Sequence, residues 1–302
     1  MLYYRFKTFT TSYYFPRLSK EQKFMYGLYS AYGGKLSKIY WTLFKKYSLI
    51  RLFTSVSENK LPFPYSTIKE CLGKESLLAF NMGSPGIEQK ISILGYDCQN
   101  YSPFFAKFSQ KEMAKVLTKN EIKIYTILKG TKLTPNLLSY QIKENYVCMK
   151  AEYIKGERPK TKEVNSEIVK LCLQLKEFHL DKQKGDNNLL ISCLSHGDFC
   201  PWNILVSNGT MRLIDWELAE ERPLGYDLFT YICQVAILFN PECDLLHIID
   251  NNIKFIQEYF NHCGIKDYIP YLKAFAKEKA TYEYNKKNTQ IYNKYHKLEN
   301  DL

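Results

Sequence analysis

The chain has 302 residues, of which 45% are apolar, nine cysteines and a net charge of +11. A chain of this length and composition can bury a sizeable core in one large domain or two lobes, which excludes an intrinsically disordered protein. The cysteines are widely spaced without a C-x-x-C pair, which predicts buried thiols in a reducing compartment rather than a disulfide framework or a zinc site.

The sequence also predicts a cytoplasmic location. No apolar run approaches the roughly 18 residues that a membrane-spanning helix needs. The N-terminal stretch, MLYYRFKTFTTSYYF, is basic and aromatic and lacks the apolar region of a signal peptide.

The positive charge is concentrated near the N-terminus. Residues 1–70 contain twelve Lys or Arg against three Glu, a net charge of +9, and they are rich in aromatic residues. Within residues 38–53 a broad apolar stripe follows helical spacing and comprises Ile39, Leu43, Tyr47, Leu49, Ile50 and Phe53. Residues 1–70 are therefore predicted to form a basic, aromatic and mainly helical N-terminal extension.

The residues leave three functions open for this extension. A helical cap would pack its aromatic side chains on the main body and leave its lysines in solvent. An amphipathic helix with Trp, Tyr and Lys anchors would bind an anionic membrane surface and place the protein peripherally at the inner face of the membrane. Nucleic acid also binds basic patches interleaved with aromatics, and we favour this partner least.

Residues 71–155 have the pattern of a small antiparallel sheet with one helix. A hairpin tip, Gly83-Ser84-Pro85-Gly86, separates the strand-like runs LLAFNMG and GIEQKISIL. Later runs predict a third strand (PFFAKFS), a helix (KEMAKVLTKNEIKIYTILKG) and a second strand pair (NLLSYQI and NYVCMKAEYI). After the polar connector GERPKTKEVN, residues 156–302 are predicted to be mainly helical.

This helical region is interrupted by a polar trio in a hydrophobic frame, within LSHGDFCPWNILVSNGTMRLIDWE. The short runs NILV and MRLIDW are joined by the turn SNGT, so a two-strand hairpin would bring Asn203 and Asp215 near one another. Their hard oxygen ligands suit Mg²⁺, which shares its coordination sphere with phosphates. Asp198, in the preceding loop, is free to act as a separate base.

These residues resemble those of a known family. The run HGDFCPWNIL followed by LIDWE is similar to the catalytic and metal loops of the aminoglycoside phosphotransferase and choline kinase family, small-molecule relatives of the protein kinase fold. The resemblance covers about residues 76–240. It implies an α+β, bilobal protein-kinase-like fold, in which the extension at 1–70 precedes an antiparallel-sheet N-lobe at 71–155 and a mainly helical C-lobe at 156–302.

The resemblance assigns roles to the C-lobe residues. Asp198 resembles the base that orients and deprotonates the acceptor hydroxyl, whereas Asn203 and Asp215 resemble the Mg²⁺ ligands beside the phosphates of ATP. His196 would hold the loop in shape. Asp227 resembles an aspartate that buttresses this loop from a helix start, and it also fits an ordinary helix N-cap.

The N-lobe has counterparts for the nucleotide. By resemblance, Lys107 would contact the α- and β-phosphates, and Glu121 would position it through an ion pair. The run NMGSPG departs from G-x-G-x-x-G, although its residues remain plausible backbone donors. The residues expected at the phosphate loop and at the adenine-binding hinge are Gly83, Ser84, Gly86, Ala151 and Tyr153.

The resemblance implies an ATP- and Mg²⁺-dependent phosphotransferase that acts on a hydroxyl of a small molecule or sugar by positioning and charge neutralisation. We favour an envelope or lipid-linked saccharide as acceptor, because it would explain the basic aromatic N-terminus. A choline, ethanolamine or aminoglycoside kinase remains an alternative, since the run DWELAEERPLGYD offers acidic residues for a cationic acceptor. A catalytically silent kinase-like binding module is a second alternative. A protein kinase is disfavoured because the chain has His-Gly-Asp and no A-P-E segment.

Overall fold

The computed structural model describes residues 1–8, 10–29, 35–47, 54–180 and 190–302. The chain divides into two compact units, Met1–Ile154 and Lys155–Leu302. Within the described ranges, no helix has both the length and the apolar character needed to cross a membrane.

The first unit is built on one eight-stranded sheet. Its strands are β1 (Leu2–Lys7), β2 (Ser12–Pro16), β3 (Ser55–Ser57), β4 (Leu77–Asn81), β5 (Ile91–Asp97), β6 (Ser102–Ser109), β7 (Leu137–Ile142) and β8 (Val147–Glu152). They lie in the order β3-β1-β2-β4-β5-β6-β8-β7, and every neighbouring pair is antiparallel. The predicted hairpin around residues 83–86 is present as the β4–β5 pair.

Helices of the first unit include a 3₁₀ helix (Glu21–Leu28), α1 (Lys35–Lys46), α2 (Tyr65–Leu72) and α3 (Glu112–Ile127). The helix predicted after β6 is α3. Its buried residues recur at three- and four-residue spacing, which is the spacing of one helix face, and include Ala114, Thr118, Glu121, Ile122 and Tyr125. This periodicity explains why α3 packs against the sheet and why an acidic residue, Glu121, is carried into the interior.

The N-terminal segment differs from the predicted helical extension. Strands β1, β2 and β3 join the same sheet as β4, and Tyr14 of β2 pairs with Phe80 of β4. Tyr13, Tyr14 and Phe15 are all buried, so β2 lacks the apolar–polar alternation that marks a half-exposed strand. Residues 1–70 therefore belong to the first unit and do not form a separate, mainly helical extension.

Helix α1 also buries a different face from the predicted stripe. Trp41 and Phe44 lie in an aromatic core, whereas Ile39, Leu43 and Tyr47 are exposed. Because α1 carries apolar residues around much of its circumference, spacing alone did not identify the buried face. The remaining residues of the predicted stripe lie outside the described part of the chain: Leu49, Ile50 and Phe53. The alternative of a helical cap explains why Trp41 and Phe44 are buried. It assigns no role to the exposed face of α1.

The second unit is mainly helical. Its helices are α4 (Ser166–Leu175), α5 (Tyr226–Phe239), α6 (Leu245–Asn251), α7 (Ile253–His262), α8 (Ile269–Asn285) and α9 (Thr289–Asp301). Two antiparallel strand pairs lie between α4 and α5: β9 (Ser192–Ser195) with β12 (Glu220–Pro223), and β10 (Ile204–Ser207) with β11 (Thr210–Leu213). The predicted fold class, an antiparallel-sheet region followed by a mainly helical region, is confirmed.

Candidate active site

The loop that carries Asp198 follows β9 and leads into a short 3₁₀ turn, Pro201–Asn203. Gly197 in this loop has a φ of +83°, and a Cβ at this position would lie 2.2 Å from the backbone oxygen of Leu218. Only glycine combines this left-handed conformation with so close an approach. The glycine of the His-Gly-Asp motif is therefore required by the geometry of the loop.

Asp198 is oriented by Asn203. The side-chain Nδ2 of Asn203 donates to Oδ2 and to the backbone oxygen of Asp198, each at 2.8 Å. Asn203 is buried, whereas Asp198 remains partly exposed. The carboxylate is thus held in one orientation while it can still be reached by a substrate, which suits a general base.

Asn203 and Asp215 lie at the same end of the β10–β11 hairpin. Asn203 directly precedes β10, and Asp215 follows β11 by two residues. Ile204 pairs with Leu213, and the Ile214 N–H donates to the backbone oxygen of Asn203 at 3.0 Å. The hairpin predicted from NILV and MRLIDW is therefore present, and it carries both predicted metal ligands.

The oxygens at this hairpin end fit a hard divalent cation. Because Nδ2 of Asn203 is engaged with Asp198, Oδ1 is the atom of this amide that can bind a metal. Asp215 contributes a carboxylate from a left-handed backbone conformation, with a φ of 70° and a ψ of 55°. Carboxylate and amide oxygens are ligands that Mg²⁺ accepts.

His196 connects the Asp198 loop to the hairpin. Its buried ring hydrogen-bonds through Nε2 to the Ile214 backbone oxygen at 3.0 Å, and its Nδ1 accepts from the Asp198 N–H at 3.3 Å. This pattern assigns the proton to Nε2. The ring also contacts Trp216, with centroids 4.7 Å apart. His196 therefore shapes the loop, as the sequence predicted.

Asp227 holds the backbone of the same loop. Its carboxylate, in the first turn of α5, accepts from Ser195 Oγ at 2.7 Å, from His196 N at 2.7 Å and from Gly197 N at 3.1 Å. The N-cap position is occupied by Gly225 and has no side-chain cap bond. Asp227 therefore buttresses the loop, and the alternative that it is an N-cap is wrong.

In the first unit, Lys107 on β6 and Glu121 on α3 form a buried ion pair. Lys107 Nζ lies 2.5 Å from Glu121 Oε2, and the two residues are 3% and 0% exposed. Among the described residues, Oε1 of Glu121 has no hydrogen-bond partner. The structure thus brings together the lysine and glutamate that the family resemblance paired.

The β4–β5 connection is a turn rather than a standard glycine-rich loop. Gly83 has a φ of +66°, and its N–H donates to Asn81 Oδ1 at 3.0 Å, so this predicted phosphate donor is occupied within the loop. Ser84 and Gly86 are exposed, and the Gly86 carbonyl accepts from Lys111 Nζ at 2.7 Å. Ser84 and Gly86 are therefore more accessible to a nucleotide than Gly83.

The predicted hinge residues lie at the end of β8. Ala151 is a buried residue of this strand, between β6 and β7. The Glu152 N–H donates to the Asn136 backbone oxygen at 2.8 Å. Tyr153 follows the strand, and its ring lies 5.0 Å from that of Phe24. The Glu152 N–H is therefore already used, and an adenine contact would need the backbone groups on either side of it.

Most acidic residues of DWELAEERPLGYD serve internal contacts. Glu220 Oε2 lies 3.0 Å from Arg222 Nη2, and Glu221 accepts from the Leu180 N–H at 2.9 Å. Asp227 is engaged with the loop that carries Asp198. The acidic pocket that a cationic acceptor would require is not formed by these three carboxylates.

Lys279, a buried lysine of α8, is not indicated by any motif in the sequence. Its side chain is 5% exposed, and burial lowers its pKa, whereas the negative charge of the Asp198 carboxylate acts to raise this pKa. The run KAFAKEKA reads as a solvated basic helix, yet Lys279 follows Leu272 and Phe275 at the spacing of the buried helix face. That spacing was the signal that could have identified it.

The family model of the phosphotransferase enzyme family (APH) matches residues 186–246. The predicted family resemblance is confirmed. The matched segment includes Asp198, Asn203, Asp215 and Asp227, and the prediction of a phosphotransferase is confirmed with it. No curated protein matches the chain by sequence.

Solved structures of small-molecule kinases are similar to the chain at low identity. An ethanolamine kinase of Plasmodium vivax is 13% identical, with a TM-score of 0.48 and coverage of 90% of this chain and 95% of its own. A protein of Haemophilus somnus described as a fructosamine-3-kinase is 12% identical, with a TM-score of 0.49 and coverage of 78% and 95%. An amicoumacin kinase, solved in complex with AMP-PNP, Ca²⁺ and Ami, is 10% identical, with a TM-score of 0.43 and coverage of 62% and 73%. These values assign no substrate to the chain.

Proposed function

We propose that the protein transfers the γ-phosphate of ATP, in the presence of Mg²⁺, to a hydroxyl group of a small molecule or sugar. The observation that carries this proposal is the position of Asn203. Its amide nitrogen holds the Asp198 carboxylate, and its amide oxygen lies at the hairpin end that also carries Asp215. A proton acceptor and a hard oxygen site are thus built from adjacent parts of one loop and hairpin.

In the proposed reaction, Asp198 accepts the proton of the acceptor hydroxyl as that oxygen attacks the γ-phosphorus. The new bond joins the acceptor oxygen to phosphorus, and the bond from phosphorus to the β–γ bridging oxygen breaks, so ADP leaves. The proton then passes from Asp198 to solvent. Because Asn203 and Asp227 already fix the carboxylate and the loop backbone, little reorganisation is needed during transfer.

The other site residues are assigned to the nucleotide and the metal. Mg²⁺ held by Asn203 and Asp215 would neutralise charge on the phosphate oxygens. Lys107, held by Glu121, is assigned to the α- and β-phosphates. The remaining nucleotide contacts are assigned to backbone groups of Ser84, Gly86, Ala151 and Tyr153. The predicted donor Gly83 is not included, because its N–H already donates to Asn81 Oδ1.

We assign an envelope or lipid-linked saccharide as acceptor and a peripheral position at the cytoplasmic face of the membrane. The exposed face of α1 supports this, since Ile39 and Leu43 lie on the same helix as the exposed Lys45 and Lys46, and the exposed Tyr47 directly follows them. A basic, amphipathic helix of this kind binds anionic lipid. A cleft of about 670 Å³ beside α1 is lined by three lysines and by the rings of several aromatic residues, which suits an acidic headgroup.

Calorimetric titration of Mg·ATP into the protein tests the nucleotide and metal assignments. We expect wild-type protein to bind Mg·ATP, and Lys107→Met and Asp215→Asn to bind it at least about tenfold more weakly. Exposed Lys277→Met is the matched control for the lysine substitution. Binding that is absent from wild-type protein, or unchanged in both variants, would contradict the proposal.

A further inference from the structure

Lys279 is a buried cation whose partners, within the described ranges, are aromatic rings. Its Nζ lies 5.1 Å from the centroid of Tyr226 and 6.0 Å from that of Phe275. It forms no hydrogen bond or ion pair with any residue that the structure describes. Burial of an ammonium group without an anionic partner costs free energy. Binding of an anionic ligand next to the group would offset this cost.

The neighbouring cation, Arg222, is already neutralised. Arg222 also packs on Tyr226, with Cζ 4.6 Å from the ring centroid. Its Nε donates to Glu278 Oε1 at 2.7 Å, and its Nη2 donates to Glu220 Oε2 at 3.0 Å. The carboxylate of Glu278, next to Lys279 in sequence, is thus committed to Arg222. Of these two cations, Lys279 is the one whose charge has no carboxylate partner among the described residues.

Lys279 is also an electrostatic neighbour of the proposed base. Burial lowers the pKa of Lys279, Arg222 lowers it further, and the Asp198 carboxylate acts in the opposite direction. Cys200 connects the two, since its Sγ lies 3.8 Å from Asp198 Oδ1 and its pKa is affected by the charge of Lys279. Geometry also connects them, because the Lys279 Nζ lies 5.1 Å from the ring centroid of Tyr226, and the next residue, Asp227, accepts from the N–H groups of His196 and Gly197 in the Asp198 loop. An acceptor whose hydroxyl binds at Asp198 can therefore place a second group towards Lys279.

Helix α5 also carries a buried polar group without a hydrogen-bond partner among the described residues. The Tyr231 hydroxyl, on α5, makes no hydrogen bond to any described residue although it is buried. Tyr231 is an electrostatic neighbour of Cys200, as Lys279 is. Lys279 is a cation without a carboxylate partner among the described residues, and the Tyr231 hydroxyl is a buried group without a hydrogen-bond partner among them. A polar ligand would supply partners to both groups.

We propose that Lys279 is a specificity-determining residue of the acceptor site, and that the acceptor carries an anionic group, a carboxylate or a phosphate, close to the hydroxyl that is phosphorylated. This inference rests on the proposed function, because it takes Asp198 as the point where the hydroxyl binds. The inference extends the proposed function by specifying the charge of the acceptor. Glu221 and Asp227 are committed to internal contacts, which disfavours their use in a site for a cationic acceptor.

The test uses four sugars of similar size and different charge: glucuronate, glucose 1-phosphate, glucose and glucosamine. Each is added to the full-length protein, and the rise in melting temperature is measured. We expect glucuronate or glucose 1-phosphate to raise it more than glucose and glucosamine do, and the larger of the two shifts distinguishes a carboxylate site from a phosphate site. Equal or larger shifts with glucose or glucosamine, or no shift with either anion, would overturn the inference.

Two substitutions on the same helix complete the test. Lys279→Met should weaken binding of the preferred anionic sugar about 10- to 100-fold, because a charge-assisted hydrogen bond is lost. It should also raise the melting temperature of the ligand-free protein by about 2–4 °C, since an unpaired buried charge is removed. Exposed Lys277→Met should leave both quantities unchanged. A preference for anions that survives in Lys279→Met overturns the inference.

A further variant and a parallel set of nucleotide measurements distinguish failure of this inference from failure of the proposed function. Lys279→Gln removes the charge and keeps a polar end, so it replaces Lys279→Met if that variant does not fold. Binding of Mg·ATP and transfer of its γ-phosphate are measured in parallel. If the protein prefers anions through Lys279 but does not bind nucleotide, the proposed kinase function is wrong and the anion site is supported. If it transfers phosphate to glucosamine and shows no preference for anions, the kinase function is supported and the anion site is wrong.

Discussion

The side-chain amide of Asn203 donates to both the carboxylate and the backbone oxygen of Asp198, each at 2.8 Å, which couples the proposed base to the proposed metal site. Asn203→Leu removes both donors and the amide oxygen at similar volume. We expect kcat to fall about 10²- to 10³-fold and the Mg²⁺ concentration for half-maximal activity to rise. Steady-state kinetics at varied Mg²⁺ measures both, with the exposed Asn251→Leu as control. An unchanged Mg²⁺ requirement would contradict the assignment of Asn203 to the metal.

Two glycines with similar backbone conformations allow a matched stability test. Gly197 and Gly209 have φ of +83° and +73°, but only at Gly197 would an added Cβ lie within 4 Å of other backbone atoms. We expect Gly209→Ala to cost about 1 kcal/mol from the left-handed conformation alone. Gly197→Ala should cost about 2–4 kcal/mol, because the methyl group also overlaps the Leu218 oxygen. Urea denaturation compares the two, and equal costs would show that the loop can relax around an added Cβ.

Asp227 should contribute more to stability than its hydroxyl partner, Ser195. Its carboxylate accepts three hydrogen bonds, two of them from backbone N–H groups. Asp227→Asn replaces one acceptor oxygen by a donor, and we expect a loss of about 2–4 kcal/mol in the free energy of unfolding. Ser195→Ala removes one bond and should cost about 1 kcal/mol. If chemical denaturation gives the Asp227 and Ser195 variants the same loss in the free energy of unfolding, the buttressing role of Asp227 is wrong.

The Lys107–Glu121 pair predicts non-additive effects on stability. Lys107→Met leaves a buried carboxylate without its cation and should destabilise the protein by about 3–5 kcal/mol. The double variant Lys107→Met/Glu121→Leu removes both charges and should regain most of that stability, while nucleotide binding stays weak. Chemical denaturation and calorimetry on the same samples separate the two effects. Additive losses of stability would indicate that the two side chains do not act as a pair.

The exposed face of α1 predicts binding to acidic membranes. The protein should co-sediment with phosphatidylglycerol vesicles and not with phosphatidylcholine vesicles, and binding should weaken with added salt. Lys45→Glu/Lys46→Glu should weaken binding more than tenfold, at about 1 kcal/mol for each lysine removed. Exposed Lys273→Glu in α8 is the control. Binding that is indifferent to lipid charge, or retained by the double variant, would contradict a membrane role for α1.

The local parts of the fold and site were predictable from sequence, and the parts that depend on distant packing were not. Asn203 and Asp215 are separated by one short hairpin, so strand-like runs and a turn were enough to place them together. The pairing of Lys107 with Glu121 came from the family resemblance. In contrast, β2 pairs with β4 across more than sixty residues, and no local pattern indicated that its aromatic residues are buried on both faces.

Burial of individual side chains was the least predictable feature. On α1, apolar residues occupy several faces, and the choice of Trp41 and Phe44 for the core depends on the aromatic residues of β1 and β2. Lys279 lies in a run of lysines, and its burial depends on Tyr226 of α5. Helical spacing limits which residues share a face, but it does not determine which face another element will cover.

The most direct test of the central claim is transfer of labelled γ-phosphate from Mg·ATP into fractionated cell metabolites and envelope glycolipids, with wild-type protein and Asp198→Asn side by side. We expect label in one acceptor fraction with wild-type protein, a signal at least about 10²-fold lower with Asp198→Asn, and no signal without Mg²⁺. Equal labelling by the two proteins would contradict the role of Asp198. Absence of label and of nucleotide binding in wild-type protein would indicate a silent kinase-like binding module.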